Sequence, residues 1–297
     1  MIAMDKVLVV GASGMLGTRA IEMYGRAYDM FGTYHTHKLD AKNMFHLDVT
    51  KRVEVNALVE KIKPDLIIDT HTLPNVDYCE LHPDEAWEIN VNGTKNVAEA
   101  AKTLGAKYVY ISTDTVFDGK KLEYSEKDKP NPMNYYSKTK WIGELILEAL
   151  NVNYIVLRSA VLYGKGGSGK VPFALWLVDQ LKRKQQVKIV VDQSENPTFV
   201  DNLVDVLFKL FKDDATGIFH ATGSECMSRY EFSKTIAKAF NLDSKYINPI
   251  TTPELHQVAP RPGRVKMNTG KVERATGMHM MGPEEGLKLL KQQLAEE

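Results

Sequence analysis

Four apolar residues, Val7 to Val10, run directly into Gly11-Ala-Ser-Gly14-Met-Leu-Gly17, and a helix-compatible stretch from Thr18 to Tyr24 follows. This order of strand, glycine-rich turn and helix restricts the fold more than any other feature of the chain. Glycines permit a tight turn and a close backbone approach. A pyrophosphate can then rest on free amides at the helix N-terminus, where the helix dipole also favours an anion. A glycine triplet alone says little, but the strand before it and the helix after it point to a bound dinucleotide. Gly11, Ser13, Gly14, Met15, Leu16 and Gly17 are the candidate cofactor contacts.

Short β-rich runs at 6–10, 30–35, 44–48, 65–71, 107–113 and 154–160 alternate with helical spacing. That alternation predicts a parallel sheet covered by helices on both faces. One helix is expected over 51–62. Another begins at Pro83, a residue favoured in a first turn, and continues through Ala86, Ile89, Val97 and Ala100 to a stop at Gly105. After about residue 160 the character changes. Gly164-Lys-Gly-Gly-Ser-Gly169 reads as a flexible loop, followed by a helix over 171–181, a strand over 188–192 and a helix over 200–211. Ser228-Arg-Tyr-Glu231 reads as a capping box opening a helix to about Phe240. The expected fold is α/β: a Rossmann-type doubly wound parallel sheet in residues 1–160, and a smaller C-terminal substrate-binding lobe in 161–297, some elements of which return to the sheet.

Charge removes several functional classes. Lys plus Arg and Asp plus Glu both number 38, so there is no basic excess for nucleic acid and no polybasic run for a membrane surface. The start of the chain, from Met1 to Val10, is too short and wrongly flanked for a signal peptide, and no apolar run approaches ~20 residues. A soluble, cytoplasmic protein with a small ligand is expected. Cys79 and Cys226 lack paired spacing and read as ordinary thiols in a reducing compartment. His35 and His37 have no Cys, Asp or Glu close by to complete a metal shell, so no metal is expected.

Sites that prefer NAD place an acid at the end of the second strand to bond the ribose 2′-hydroxyl, whereas a 2′-phosphate repels an acid and attracts cations. The corresponding stretch here is Thr33-Tyr-His-Thr-His-Lys38, without Asp or Glu. NADP(H) is therefore favoured, with NAD(H) as the alternative, and His35, Lys38 and Arg19 are the candidate 2′-phosphate partners. Asp48 and Val49, at the end of the third strand, lie where an adenine edge is held.

Reducing a carbonyl requires a proton donor near its oxygen, and a Tyr serves if a neighbouring cation eases its ionisation from about 10. Tyr136 and Lys140 are spaced to share one helix face. The same spacing recurs at Tyr34/Lys38 and Tyr230/Lys234, so spacing alone does not choose among them. Position does: Tyr136 begins the helix after the fifth β-run, which ends in Ser112-Thr113-Asp114 at the carboxyl edge where open α/β sheets bind ligands. Thr113 can bond the carbonyl beside Tyr136.

Ser112-Thr-Asp-Thr-Val-Phe-Asp-Gly119, Tyr136-Ser-Lys-Thr-Lys140-Trp-Ile-Gly-Glu144, Asp192-Gln-Ser-Glu-Asn-Pro-Thr198 and Arg261-Pro-Gly263 with Asn268-Thr269 together resemble the dTDP-4-dehydrorhamnose reductase family, in the family's order over nearly the whole chain. The resemblance implies a Thr113, Tyr136, Lys140 triad, with Lys140 also bonding the nicotinamide ribose. It implies hydride delivery to C4 of a 4-keto-deoxy sugar on a nucleotide diphosphate, as in reduction of dTDP-4-dehydrorhamnose to dTDP-rhamnose. It places Thr70 and His71 beside the cofactor and Asp114, Thr115, Arg158, Gln193 and Arg261 beside the substrate, the two arginines because a guanidinium fork matches phosphate geometry.

Departures bear on the sugar. The family has an aromatic at Thr115, a Trp at Val161 and an Asn-Ala-Ala run at Asp69-Thr-His71. Arg183 and Lys184 occupy a region where some members use glutamates in a metal-bridged dimer, so a homodimer here would need another contact. Two readings stay open beside a reductase. A dehydratase does not, since it would carry Asp-Glu where Asp114-Thr115 stands. An epimerase would use the same triad with a retained NAD. The stretch 217–251 is also similar to the regulatory subunit of methionine adenosyltransferase, a non-enzymatic relative.

Overall fold

The structure, a computed structural model, describes residues 4–169 and 171–296; the first three residues of the N-terminal run lie outside them. In chain order β1 (Lys6–Val10), α1 (Met15–Tyr24), β2 (Asp29–Tyr34), β3 (Met44–His46), α2 (Arg52–Ile62) and β4 (Leu66–Asp69) lead into short α3 (Val76–Leu81) and α4 (Pro83–Trp87). A π-helical turn at Glu88–Gly93 joins these to α5 (Thr94–Leu104), which is followed by β5 (Lys107–Thr113), a 3-10 turn at Asp114–Val116, α6 (Tyr135–Leu150) and β6 (Tyr154–Ser159). All six strands expected from the sequence are present. The helix expected from Pro83 to Gly105 is interrupted by the π turn, whose wider winding carries no periodicity signal of its own. Gly105 ends α5 in the left-handed region at φ 76°.

The strands form one parallel sheet in the order β3-β2-β1-β4-β5-β6, to which β11 (Gly217–His220) adds beyond β6. Alternation along each strand sends side chains to two separate cores. Val7, Val9, Leu66, Ile68, Val109, Ile155 and Leu157 face α1 and α8 (Val200–Lys212). Leu8, Val10, Ile67, Tyr108, Tyr110 and Val156 face α2, α5 and α6. A sheet buried on both faces explains why its strands read as continuous apolar runs.

The remaining elements are β7 (Leu162–Tyr163), α7 (Phe173–Lys182), β8 (Val187–Val190), β9 (Ser194–Glu195), β10 (Thr198–Phe199), β12 (Met227–Ser228), α9 (Arg229–Ala239), β13 (Ile247–Ile250), α10 (Thr252–Leu255), α11 (Gly270–Thr276) and α12 (Pro283–Ala295). Tyr163, Leu177, Ile189, Phe199, Phe232, Ile236 and Leu287 make a third core here. The capping box at α9 is present, with the Ser228 side chain accepting from the Glu231 amide and Glu231 accepting from the Ser228 amide. α8 and β11 follow residue 160 but belong to the large sheet and its first core. No helix among the described residues is long and apolar enough to cross a membrane.

One buried ion pair ties β5, β6 and α6 together. Arg158 Nε and Nη2 donate to Glu144 Oε1 at 3.0 Å and Oε2 at 2.6 Å, and the Ser112 hydroxyl also donates to Glu144. Both charged residues are at most 5% exposed. Removing one partner of such a pair strands the other charge, at about 3–5 kcal/mol, whereas replacing both with apolar residues of similar volume is often near neutral. Glu144→Ala is expected to lose about 3–5 kcal/mol of stability in urea unfolding, and Glu144→Leu combined with Arg158→Met much less.

Candidate active site

The strand order reverses at β1, with β2 on one side and β4 on the other, which opens a crevice outside the carboxyl ends of the strands. A cavity of about 810 Å³ occupies it. Gly14, Met15 and Leu16 form one wall, and Thr70 stands at the end of β4. Gly14 caps α1 without a side-chain hydrogen bond, leaving first-turn amides free for an anion. Gly11 sits at φ 80°, and a Cβ there would lie 2.8 Å from the His71 amide nitrogen, so only glycine turns the chain this tightly. The Thr70 hydroxyl donates to the Val10 and Gly11 carbonyls and pins the turn to β4. This cradle fits a dinucleotide pyrophosphate. The loop read as flexible from its glycines instead packs on the turn, since the Ser168 amide donates to the Ser13 carbonyl at 3.0 Å.

Tyr136, Lys140 and Thr113 all line the same cavity. Asn134 starts α6 by accepting from the Ser137 amide at 2.9 Å and donating to the Pro260 carbonyl at 3.0 Å. Tyr136 therefore falls in the first turn of α6 and lines the crevice, with Lys140 one turn on, its Nζ 4.0 Å from the centroid of the Tyr110 ring. Burial lowers Lys140 to about 8, against the opposing pull of Asp69 and Glu144. Burial raises the Tyr136 phenol above its ordinary value, with Cys79 and Asp114 adding to the rise. The phenol thus carries its proton at neutral pH while the ammonium is poised to titrate. Asp114 is pushed up to about 8, by burial first and the Glu195 carboxylate second.

Asp114, Thr115, Gln193 and Arg261 also face the cavity. Gln193 donates to Thr252 at 3.0 Å and Gln257 at 2.6 Å, and Arg261 bonds Asp77 at 2.9 Å. Arg158, expected at the substrate, does not line the cavity: its guanidinium is buried and turned to Glu144. Arg19, expected at a 2′-phosphate, is held by Asp201 through two bonds of 2.7 Å. The His71 ring, expected at the cofactor, is turned to Asp69 and the Ile89 carbonyl. His35 and Lys38 are exposed beyond β2, and Asp48 accepts from the Thr50 amide and hydroxyl; with Val49, they lie outside the cavity lining.

Sequence reasoning missed Glu195 and Arg229, which line the cavity and pair at 2.8 Å. It also missed Asn90 in the π turn, whose side chain takes the Leu73 amide at 2.7 Å and reaches Thr139 at 3.1 Å. Arg229 lay within the capping motif already read from sequence, but nothing local showed which way it pointed. Among the described residues no group of three or more His, Cys, Asp or Glu could hold a metal, and Cys79 and Cys226 are free thiols.

The family model described as RmlD substrate binding domain matches residues 4–296. Spore coat polysaccharide biosynthesis protein SpsK of Bacillus subtilis (strain 168) is 32% identical over 273 residues, 92% of this chain and 92% of that protein. Methionine adenosyltransferase 2 subunit beta of Xenopus tropicalis is 32% identical over 278 residues, 91% of this chain and 82% of that protein. The crystal structure of dTDP-4-dehydrorhamnose reductase from Bacillus anthracis str. Ames in complex with NADP matches with a TM-score of 0.88 at 31% identity, covering 98% of this chain and 99% of that one.

The placement of the two cations separates their roles. Arg19→Ala is expected to cost about 1–3 kcal/mol in urea unfolding by removing the cation that pairs with Asp201, which keeps only the Gln293 amide, with dinucleotide affinity unchanged. Lys38→Ala should leave stability within about 0.5 kcal/mol and weaken binding of NADPH more than NADH in fluorescence titrations.

Proposed function

This chain belongs to the RmlD substrate binding domain family, and we propose that, as an NADP(H)-dependent oxidoreductase of that family, it reduces the 4-keto group of a sugar carried on a nucleoside diphosphate. The substrate read from the motifs is dTDP-4-dehydrorhamnose and the product dTDP-rhamnose. The observation that carries the reading is the convergence of Thr113, Tyr136 and Lys140 on one crevice beside the uncapped N-terminus of α1. The free amides of the glycine turn, with Thr70 beside them, would hold the cofactor pyrophosphate, and Lys140 would bond the nicotinamide ribose.

Bound NADPH supplies the hydride. As the carbonyl carbon accepts it, the electron pair of the C=O bond moves onto oxygen, and Tyr136 gives that oxygen its proton. Lys140 stabilises the tyrosinate left behind, and Thr113 holds the oxygen in line. Arg261, Arg229 and Lys188 face the cavity and are the cations for the diphosphate, in place of Arg158. The Phe173 and Trp176 rings at the same wall offer apolar surface to the base.

The likeness to a methionine adenosyltransferase subunit favours a second reading, a regulatory subunit that keeps the cofactor fold without turnover. NADPH oxidation by the purified protein across a panel of nucleotide-linked keto sugars decides between them. Turnover without a partner supports the reductase; no turnover together with copurification of a synthetase supports the regulator.

On a substrate the parent reduces, Tyr136→Phe should lower kcat by about 10²- to 10⁴-fold with cofactor affinity preserved. Lys140→Ala should lower turnover and weaken the cofactor together. Because Lys140 titrates near 8, its charge is present below that pH and lost above it, so parent activity should fall as pH rises through about 8. Tyr230→Phe is the control: Tyr230 is partly buried against the lobe core rather than on the open surface, and lies outside the cavity lining. It should be nearly silent in turnover, and a fully active Tyr136→Phe would end the triad assignment.

A further inference from the structure

Asp114 is 2% exposed and lines the crevice, yet its Oδ2 has no hydrogen-bond partner among the described residues. Its Oδ1 accepts the Thr113 hydroxyl at 3.1 Å. The same hydroxyl oxygen accepts the Thr115 amide at 3.2 Å and lies 3.0 Å from Thr115 Oγ1, which continues to Ser137 Oγ at 2.7 Å. A threonine hydroxyl has one proton and two lone pairs. With Asp114 ionised, the one proton of Thr113 is drawn to Oδ1, and Thr113 offers a substrate oxygen only a lone pair. With Asp114 protonated on Oδ1, the carboxyl donates to Thr113. The Thr115 amide and Asp114 then fill both lone pairs of Thr113, Thr115 donates to Ser137, and the Thr113 proton is free to point at the substrate.

We propose that Asp114, buried with one carboxyl oxygen unpartnered and facing the Glu195 carboxylate in the crevice, is a positioning residue that turns the Thr113 hydroxyl toward the substrate carbonyl. The proposal rests on the reductase reading above. The charged and titratable groups facing Asp114 are Glu195 from β9, Arg229 from α9, Tyr136 from α6 and Cys226. Glu195 favours the protonated carboxyl and Arg229 opposes it. Arg229 is also engaged by Glu195 at 2.8 Å, so one negative and one positive charge remain when Asp114 is neutral. A neutral Asp114 also removes a charge that hinders ionisation of Tyr136. The proton that ends on the product hydroxyl comes from Tyr136; Asp114 and Thr113 keep theirs.

Stopped-flow reduction over a range of pH tests this. Lys140 contributes an alkaline fall of its own, so the readout is the shift between variants. Glu195→Gln removes the charge that favours protonation, so the alkaline fall moves to lower pH and the rate at pH 8 drops about tenfold, part of what losing an oxyanion donor costs. In the Asp114→Asn background, whose amide is a permanent donor, Glu195→Gln should shift nothing. A Glu195→Gln profile that superposes on the parent, or an equal shift in the Asp114→Asn background, overturns the proposal. Infrared difference spectra between parent and Asp114→Asn provide a readout independent of turnover. A carboxylic acid C=O band at neutral pH, titrating at lower pH in Glu195→Gln, is expected. Its absence overturns the proposal even if the protein is a reductase. Its presence in a protein that reduces no keto sugar would instead count against the reductase reading alone.

Discussion

The close docking of α6 on β5 is the contact on which the crevice depends. A Cβ at Gly143 would lie 2.2 Å from the Tyr110 hydroxyl oxygen, so only glycine lets the helix come this near the strand. One residue on, Glu144 engages Arg158 of β6 and Ser112 of β5 at once. One turn back, Lys140 lies over the Tyr110 ring. Helix and strands are thereby fixed in rotation and in register, and Tyr136 is presented to the crevice. A sliding or rotated α6 would carry Tyr136 away from Thr113 and break a buried ion pair in the same movement.

The crevice is a place where burial, rather than any single partner, sets protonation. Lys140 is lowered, Tyr136 raised and Asp114 raised, each with desolvation as the largest cause. Each charged form is disfavoured, which draws Lys140 and Asp114 toward the pH at which a cell works and moves the Tyr136 phenol away from it. Asp69 shows the supporting arrangement: wholly buried at the end of β4, it takes the Tyr108 hydroxyl and the His71 ring, and its charge helps Lys140 keep its proton. The His71 ring is thereby linked to the crevice through Asp69.

The wall opposite α6 comes from the second half of the chain. β9 and α9 deliver Glu195 and Arg229, and the C-terminal segment delivers Arg261, to a crevice whose other side is the large sheet. Relatives described as a polysaccharide biosynthesis protein and as a methionine adenosyltransferase subunit align over both halves of the chain.

Much of the scaffold was legible because it depends on local pattern. The glycine turn between strand and helix, the six apolar runs, the capping box at Ser228 and the Tyr136/Lys140 spacing are all short-range properties, and the structure puts these elements where the pattern said. The π turn that aims Asn90 was not legible, since a single wide turn leaves the apolar spacing of its flanking helices intact. Charge partners were not legible either. Arg19 and Arg158 read as free cations in the sequence, and the structure gives them to Asp201, 182 residues away, and to Glu144. Glu195, Arg229 and Asp114 meet only because distant segments close over one crevice. By itself the sequence determined the elements, their order and the residue types at the sheet edge, because those follow from periodicity and backbone preference. Which charges are spent on the fold and which face a ligand was decided by the tertiary structure alone, because pairing and burial are set by through-space distance.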